Sequence, residues 1–443
     1  MNIFIMTVGS RGDVQPMVAL GKGLKAAGHS VTVATSASFE PFITENGLSY
    51  GYMTDELMQL VDSDAARSAM GDSKNPIAYM KSMAQMTKDG NRINRQLMLD
   101  AWEVAKVAQP DLIIYHPKAF AGAHIAEKLG IPAMIAVLQP MIVPTSEYPP
   151  IGFPPKQWGG WYNRLGYKMI SMGYGAYNGM VNTFRQESLG LGKLPRGVNI
   201  LGDKSTPVLH GFSKYVLPRP ADWPDTAHIT GYWFLDQQTD WTPPADLQAF
   251  LDAGDPPVYV GFGSMAGRDP QRLTTAVIGA LQKANVRGVV ASGWGGIKAA
   301  DLPDTIFKIE QAPHDWLFQR VAAVVHHGGA GTTAAGLRAG KPTVICSFFG
   351  DQPFWGEQVH KLGVGPKHIP QKKVTAETLG AAITEVTSNA SMRQKAETLG
   401  KQIRQEDGVG SAVAIIERYL QRPVSVGVGQ VTDQLQPLVQ EQS

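Results

Sequence analysis

The stretch that most constrains this sequence is a glycine loop between a short apolar run and a run of small residues. The loop reads His326-His327-Gly328-Gly329-Ala330-Gly331-Thr332-Thr333. The segment from Val321 to Val325 predicts a strand before it, and the small residues predict a helix from Thr332 to Ala339. Unpaired N–H groups and the positive end of the helix dipole would meet at the loop and suit a phosphate. The alternative is a tight turn with core histidines. If the loop binds a phosphate, the two histidines would add hydrogen-bond donors whose charge depends on pH.

A second polar motif follows the next predicted strand. Asp351 and Gln352 lie just beyond the apolar segment from Val344 to Cys346. Parallel α/β sheets bind ligands at that edge, so these side chains could hydrogen-bond sugar hydroxyls. In the alternative interpretation, Asp351 only caps a helix that starts near Pro353.

The same alternation of strands and helices occurs twice along the chain. The first half opens with a strand, Ile3 to Val8, and the loop Gly9-Ser10-Arg11-Gly12-Asp13. The second half opens with a strand, Val258 to Phe262, and a Gly263-Ser264 loop. Successive βαβ units predict an α/β protein with two parallel sheets. We expect the carboxyl-terminal edges of the sheets to face each other across a cleft that these loops line.

The domain boundaries follow from this repeat, and 443 residues are enough for two cores. We predict a first domain over residues 1–215, a linker over 216–240, a second domain over 241–420 and a loose tail over 421–443.

Composition excludes several classes of function. A formal net charge of +2 gives no polyanion-binding signature and argues against a nucleic-acid partner. Cys346 is the single cysteine, so intrachain disulfides and cysteine metal sites are excluded and a reducing, cytoplasmic compartment is expected. No run of about 18 apolar residues occurs, so we expect no membrane span. The apolar start of the chain lacks the features of a signal peptide.

An aromatic segment interrupts the alternation of the first half. A proline-rich stretch, Pro140 to Pro155, precedes several tryptophans, tyrosines and methionines. We interpret this segment as a wall that holds a flat apolar molecule. The candidate acceptor contacts are Met141, Tyr148, Phe153, Trp158 and Trp161. Two alternatives stay open, which are packing between domains and a peripheral membrane face.

A methionine-rich helical stretch runs from about Asp55 to Gln109. This pattern is typical of a core, but it also suits an adaptable wall for an apolar ligand. Asp62-Ser63-Asp64 has the form of a carboxylate pair that some transferases use to hold a metal. We interpret it as a solvated or helix-capping pair, so no metal is expected.

Together, these motifs resemble those of inverting, UDP-sugar-dependent glycosyltransferases with the two-Rossmann architecture called GT-B. The motifs are the Gly9 to Asp13 loop, Gly263-Ser264, Ala312-Pro313-His314, the histidine loop and Asp351-Gln352-Pro353. Within that class the chain is most similar to sterol 3β-glucosyltransferases, from Asn2 to about Leu420. The segments that carry this similarity include Tyr115-His116-Pro117-Lys118-Ala119, Asp222-Trp223-Pro224-Asp225 and Ile229-Thr230-Gly231-Tyr232-Trp233-Phe234-Leu235.

The resemblance implies transfer of glucose from UDP-glucose, with inversion and without a cofactor, to a hydrophobic acceptor such as a sterol with a 3β-hydroxyl. Asp13 would be the general base; the alternative is an N-cap before Val14. His326 is assigned to packing. The implied donor-binding residues are Ser10, Arg11, Gly263, Ser264, Ala312, His314, His327, Ala330, Gly331, Thr332, Asp351 and Gln352.

The sequence departs from the family pattern in two respects. Plant secondary-metabolite enzymes stack uracil on a tryptophan before the Ala-Pro pair, where this chain has Gln311. Trp316, Trp294 or the backbone of Ala312 would then hold the base. Fungal and plant sterol enzymes usually carry an N-terminal lipid-binding extension, whereas this sequence begins at its first strand, so at most a weak peripheral membrane contact is expected.

Four other functions compete with this interpretation. The first is a glycosyltransferase for an antibiotic, polyketide or polyphenol aglycone, and the second is a UDP-sugar epimerase. A nicotinamide-dependent oxidoreductase is disfavoured because the first loop lacks GxGxxG and the second strand lacks an acidic residue for the ribose. A non-catalytic protein that binds a sugar nucleotide or a lipid is the fourth.

Overall fold

The computed structural model describes residues 1–62, 76–154, 158–236, 241–263, 269–292 and 302–421. Within these ranges the chain forms two parallel β-sheets flanked by helices, one sheet in each half of the sequence. We call each sheet with its helices a lobe. The two Rossmann-like units expected from the repeated βαβ pattern are therefore confirmed.

The first sheet contains seven strands among the described residues. They are β1 (Asn2–Met6), β2 (Ser30–Ser36), β3 (Ser49–Met53), β4 (Leu112–Tyr115), β5 (Ala133–Val137), β6 (Val208–His210) and β7 (Ala227–Ile229). Their order is β3-β2-β1-β4-β5-β6-β7, and every neighbouring pair is parallel. The order reverses between β1 and β4, and doubly wound sheets bind ligands at such a switch point.

The helices of the first lobe cover both faces of this sheet, so most of its strand residues are buried. They are α1 (Arg11–Ala26), α2 (Glu40–Glu45), α3 (Glu56–Asp62), α4 (Pro76–Ala108), α5 (Gly122–Leu129), α6 (Gly160–Gly175) and α7 (Asn178–Glu187). Helix α1 begins at Arg11 because Ser10 and Asp13 form a capping box at its start.

The second sheet repeats the arrangement with six described strands. They are β8 (Val258–Gly261), β9 (Gly288–Ala291), β10 (Ile306–Ile309), β11 (Ala323–His326), β12 (Thr343–Ser347) and β13 (Ile369–Pro370), in the order β10-β9-β8-β11-β12-β13. The helices that follow are α8 (Ala245–Asp252), α9 (Pro270–Lys283), α10 (His314–Leu317), α11 (Ala330–Arg338), α12 (Gln352–Lys361), α13 (Ala376–Ser388), α14 (Ala390–Arg404) and α15 (Gly408–Leu420). Its order reverses between β8 and β11.

Two segments join the lobes. The stretch predicted as a linker, 216–240, contributes β7 to the first sheet, where it pairs with β6. Helix α15 returns from the second lobe and packs on α1, so that Ile416 shares a buried cluster with Val14 and Trp233. The domain boundaries given above stay a prediction. In the described ranges, every helix is too short or too polar to cross a bilayer.

The return of α15 depends on a close backbone approach at Gly408. A methyl group there would collide with the carbonyl oxygen of Tyr232. We expect Gly408→Ala to lower the free energy of unfolding by about 1–3 kcal/mol, because two backbone segments must move apart. Urea unfolding followed by circular dichroism measures this change.

Gly179→Ala in α7 is the matched control, since a methyl group there meets no atom within 4 Å. It should leave stability unchanged or slightly higher, because alanine is the better helix former. Equal stability of the two variants would contradict the packing described for α15.

Candidate active site

Asp13 lies in the first turn of α1, at the switch point of the first sheet, and is 9% exposed. Its Oδ2 accepts hydrogen bonds from the Ser10 backbone N–H at 2.9 Å and from the Ser10 hydroxyl at 3.3 Å. The N-cap of α1 is therefore Ser10 and not Asp13, contrary to the alternative considered above, and the contact with Ser10 occupies only one of the two carboxylate oxygens of Asp13.

The second oxygen of Asp13 faces the loop that follows β4. Lys118 Nζ donates a hydrogen bond to Oδ1 at 3.0 Å, and His116 Nε2 lies 3.7 Å from the same atom. His116 Nδ1 accepts the backbone N–H of Lys118, which assigns the ring proton to Nε2, on the side of the carboxylate. Strand β4 neighbours β1, and this adjacency brings the two loops together.

Burial opposes the charge of Asp13, but the Lys118 ammonium and the hydrogen bonds outweigh it and hold the pKa of Asp13 below its ordinary value. Burial lowers the pKa of His116 to about 4, so this ring is neutral at neutral pH. The site thus holds an ionised, partly buried carboxylate, the form that a general base requires.

The histidine loop forms the corresponding corner of the second sheet, after β11. The first hydrogen bond of α11 runs from the Thr333 N–H to the Gly329 carbonyl. The N–H groups of Ala330, Gly331 and Thr332 precede that bond and lie at the positive end of the helix dipole. This corner has the chemistry of an anion site.

His327 lies beside this helix terminus. A methyl group at Gly263 would be 3.8 Å from His327 Cε1, so the loops after β8 and β11 meet. Among the described residues, Nδ1 of His327 is buried without a hydrogen-bond partner. Burial lowers the pKa of His327 to about 4, so the ring is a neutral donor near pH 7. The pH-dependent charge expected from the sequence is therefore absent near neutrality.

Two neighbours fix the shape of this loop. Gly328 has a φ of 94°, a left-handed conformation that favours glycine. His326 is fully buried, and its Nδ1 accepts the Gly328 N–H at 2.9 Å, as expected for a packing role.

Asp351 connects the lobes. Its side chain makes no capping hydrogen bond to α12, contrary to the capping alternative. Instead, Oδ2 accepts hydrogen bonds from Trp355 Nε1 at 2.9 Å and from Gln139 Nε2, in the first lobe, at 3.2 Å. Burial raises the pKa of Asp351, and the charge of Asp13 adds to the rise. The hydrogen bond from Gln139 therefore places this carboxyl group at the junction of the lobes, close enough to Asp13 to be affected by its charge.

Gln352 begins α12 and is 4% exposed. Its Oε1 accepts the backbone N–H groups of Phe348 and Phe349, at 2.6 and 3.2 Å. The side-chain oxygen thus holds the loop after β12 in place.

Arg11 begins α1 in the first lobe, and His314 begins α10 in the second. Burial lowers the pKa of His314 to about 4, and the Arg11 charge contributes to the fall. The His314 ring stacks on Phe318 at 4.4 Å between centroids. The Arg11 guanidinium lies 4.7 Å above the Phe42 ring.

The candidates for uracil binding differ in accessibility. Trp316 is buried, and the Arg320 guanidinium covers its ring at 4.0 Å, so no open face is left for stacking there. Ala312 is half-buried beside it. Ser264 and Trp294 lie outside the described residues.

The predicted acceptor residues fall into two groups. Tyr148 is buried and packs edge-on against Phe354 of α12, and its hydroxyl has no hydrogen-bond partner in the described part of the chain. Met141 and Phe153 are half-buried in the same loop. Trp158 and Trp161 are exposed at the start of α6 and are not brought into the site.

A small apolar cavity, missed in the sequence analysis, opens beside Lys118. It has about 230 Å³ of empty space, part of it open to solvent. Its lining includes Val8, Met53, Leu97, Met98, Ala119 and Phe120. The methionine-rich stretch was the signal for it, since α4 contributes Leu97 and Met98. His116 and Lys118 were also missed, although their segment was used for the family resemblance.

No three side chains of histidine, cysteine, aspartate or glutamate gather into a metal site within the described ranges. Of the motif Asp62-Ser63-Asp64, Ser63 and Asp64 lie outside those ranges.

Comparisons with known proteins match both lobes. The Glycosyltransferase family 28 N-terminal domain matches residues 3–146, and the Erythromycin biosynthesis protein CIII-like C-terminal domain matches residues 288–408. A sterol 3-beta-glucosyltransferase of Aspergillus terreus is 40% identical over 437 residues, which are 95% of this chain and 30% of the relative. A sterol 3-beta-glucosyltransferase of Arabidopsis thaliana is 37% identical over 439 residues, 95% of this chain and 66% of the relative.

Solved structures share the fold along almost the whole chain. The glycotransferase of kitacinnamycin has a TM-score of 0.69 at 21% identity and covers 94% of this chain and 98% of its own. The calicheamicin glycosyltransferase CalG4 has a TM-score of 0.68 at 17% identity and covers 96% of this chain and 99% of its own. The glycosyltransferase VinC in complex with DTDP has a TM-score of 0.64 at 18% identity and covers 96% of this chain and 100% of its own. At these identities the likeness concerns the fold alone.

Proposed function

This chain belongs to the GT-B glycosyltransferases and is similar to sterol 3-beta-glucosyltransferases, and from that premise we propose that it transfers glucose from UDP-glucose to the 3β-hydroxyl of a sterol or similar polycyclic lipid. This chain spans 30% of the length of the Aspergillus terreus relative, and the sterol acceptor is inferred from relatives of this kind. The observation that carries the chemistry is the contact between the lobes at this site, where Gln139 of the first lobe binds Asp351 of the second and the charge of Asp13 acts on the same carboxyl group.

In this proposal Asp13 takes the proton of the acceptor hydroxyl. The pKa of an alcohol lies far above 7, so a base that removes the proton as the new bond forms lowers the barrier. Because Ser10 occupies Oδ2, the proton goes to Oδ1, the atom that Lys118 and His116 face. The hydroxyl would displace the partly exposed Lys118 ammonium. One displacement at the anomeric carbon turns an α-linked donor into a β-glycoside.

The leaving UDP gains charge as the glycosidic bond breaks. The N–H groups of Ala330, Gly331 and Thr332, the dipole of α11 and a neutral His327 would stabilise that charge without a metal. The deoxythymidine diphosphate that VinC holds on the same fold supports a nucleotide-sugar donor. Added chelator should then leave the rate unchanged.

Further donor contacts follow from the same cleft. Asp351 and Gln352 would bind sugar hydroxyls, and Arg11 and His314 would approach the diphosphate or ribose. Gly263 leaves room beside His327, where a larger side chain would crowd the phosphate. Ser10, Ser264 and Ala312 complete the proposed donor site.

The acceptor would approach Asp13 from the apolar side of the first lobe. The cavity beside Lys118 is lined by Met98, Phe120 and similar side chains, which suits an apolar ring system. The enclosed part of this cavity is far too small for a ring system in this structure, so an acceptor would have to widen it and would also use neighbouring surfaces such as Tyr148. We further propose a cytoplasmic location, which the single, buried Cys346 supports.

A panel of acceptors tests this function. Sterols, polyketide aglycones and polyphenols are each incubated with UDP-glucose, UDP release is measured, and the anomeric configuration of any product is read by NMR. We expect release with sterols and a β-linked product. Faster UDP release with polyketide aglycones or polyphenols would show that the acceptor is not a sterol. Turnover of UDP-glucose without any acceptor would favour an epimerase.

The pH dependence of kcat/KM tests the contact between Lys118 and Asp13. The ionised form of Asp13 is the active base, so the rate should fall as pH drops through its pKa. Lys118→Met removes the charge that lowers this pKa, and the acidic limb of the profile should therefore move to higher pH. Lys128→Met, an exposed lysine of α5, should leave the limb in place. If the acidic limb of Lys118→Met stays where it is in the wild type, or moves to lower pH, Lys118 does not lower the pKa of the catalytic base.

A further inference from the structure

Helix α6 carries a stripe of large apolar side chains that face away from the protein. Trp161, Leu165, Met169 and Met172 are 64%, 44%, 53% and 68% exposed, and Trp158 just before the helix is 57% exposed. At 3.6 residues per turn, their spacing puts them within an arc of roughly 80°. Among the residues whose side chains the structure describes, which leaves out 76–88 of α4, no other helix or strand carries more than one exposed large apolar residue.

The opposite face of α6 is fixed to the loop that precedes it. Asn163 Nδ2 donates a hydrogen bond to the Ser146 carbonyl at 2.8 Å, and Gly166 lies against Pro150 and Phe153. The orientation of the stripe toward solvent is therefore set by packing on its inner side. The same loop begins at Gln139, which binds Asp351 in the cleft.

Basic residues border the stripe. Lys168 is exposed on α6, which contains no acidic residue, and Arg164 is exposed but forms an ion pair with Asp222 at 3.0 Å. Asn199 Nδ2 donates to Ser171 Oγ at 3.3 Å and joins α6 to a loop with the exposed Arg196. A second copy of this face would bring like charges together in a two-fold dimer. Tryptophan and methionine edged by cations instead match a bilayer surface that carries anionic lipids.

We propose that this face of α6 docks on the surface of an anionic lipid bilayer. The tryptophans, leucine and methionines enter the headgroup region, and Lys168 and Arg196 meet lipid phosphates and carboxylates. Docking would hold the loop from Gln139 to Phe153, and the cleft behind it, against the membrane. Delivery of a lipid acceptor rests on the proposed function, whereas docking itself does not.

Vesicle flotation of the full chain tests the docking. Vesicles of phosphatidylcholine are used with and without phosphatidylserine. The test variant is Met169→Glu with Met172→Glu, and the matched control is Val107→Glu with Leu129→Glu, exposed positions on α4 and α5. Wild type and control should float with the anionic vesicles, and the bound fraction of the test variant should fall about tenfold or more.

Three results would overturn the docking proposal. The first is a wild type that stays in solution, and the second is a test variant that floats as the wild type does. The third is sedimentation that shows a wild-type dimer and a monomeric test variant, which would make the face an interface between copies. Unchanged thermal unfolding of the test variant verifies that it folds.

Enzyme assays separate this proposal from the proposed function. With sterol dissolved by cyclodextrin, the test variant should turn over UDP-glucose as fast as the wild type. With sterol embedded in anionic vesicles, its rate should fall about tenfold. If no protein acts on sterol in either form but flotation differs as expected, docking is supported and the sterol function fails. Equal rates on vesicles would contradict delivery of the acceptor by this face.

Discussion

Replacing Asp13 by asparagine is expected to lower kcat by about 10²–10⁴-fold and to leave the Kd for UDP nearly unchanged. Asparagine keeps the shape of the side chain, and its oxygen can still accept the Ser10 N–H that closes the start of α1. An amide cannot take a proton from the acceptor. Single-turnover kinetics with UDP-glucose and sterol, together with calorimetric titration of UDP, measure the two quantities.

Asp111→Asn is the matched control for this substitution. Asp111 also accepts a backbone N–H, that of Asn2 at 2.7 Å, but it lies at the opposite edge of the first sheet. This variant should keep its turnover. If Asp13→Asn has the kcat of the wild type, Asp13 is not the general base and serves only in the capping box with Ser10.

Replacing His327 by alanine is expected to raise the Kd for UDP about tenfold to a hundredfold. The ring lies beside the start of α11, where the diphosphate is proposed to bind, and a hydrogen bond to a charged oxygen is worth about 1.5–3 kcal/mol. Because the neutral ring supplies an N–H without a net charge, the loss should persist across neutral pH.

Calorimetric titration of UDP measures this effect, with His360→Ala as the control. His360 is exposed near the end of α12, away from the histidine loop, so its removal should leave the Kd for UDP unchanged. If His327→Ala binds UDP as tightly as the wild type does, the diphosphate does not contact this ring.

The sequence allowed the two corners of the site to be predicted because each is local. A strand, a glycine loop and a helix lie next to one another in the chain, and the ligand edge of a parallel sheet follows from the strand direction. Asp13 and His327 could therefore be assigned to facing loops before their surroundings were known.

The partners of Asp13 could not be predicted, because they depend on strand order. Lys118 lies 105 residues from Asp13 along the chain, and the two meet only because β4 pairs with β1. The same limit applies to Gln139 and Asp351, which are 212 residues apart. Local patterns carry no information about which distant loop will supply such a contact.

The aromatic segment shows a different limit. Helix α6 has apolar side chains on two sides, with Tyr167 buried and Trp161 exposed. Periodicity identifies such a helix but does not tell which side faces the protein. The packing of Asn163 and Gly166 on the preceding loop shows which side of α6 faces the protein, whereas contact of the exposed side with a membrane stays a proposal.

A crystal structure of the protein with UDP and a bound acceptor tests the central claim most directly. The account predicts a diphosphate within hydrogen-bond distance of His327 and the first N–H groups of α11, and an acceptor hydroxyl at Asp13 Oδ1, both in one cleft. A diphosphate bound away from α11, or an acceptor hydroxyl that approaches a group other than Asp13, would contradict it.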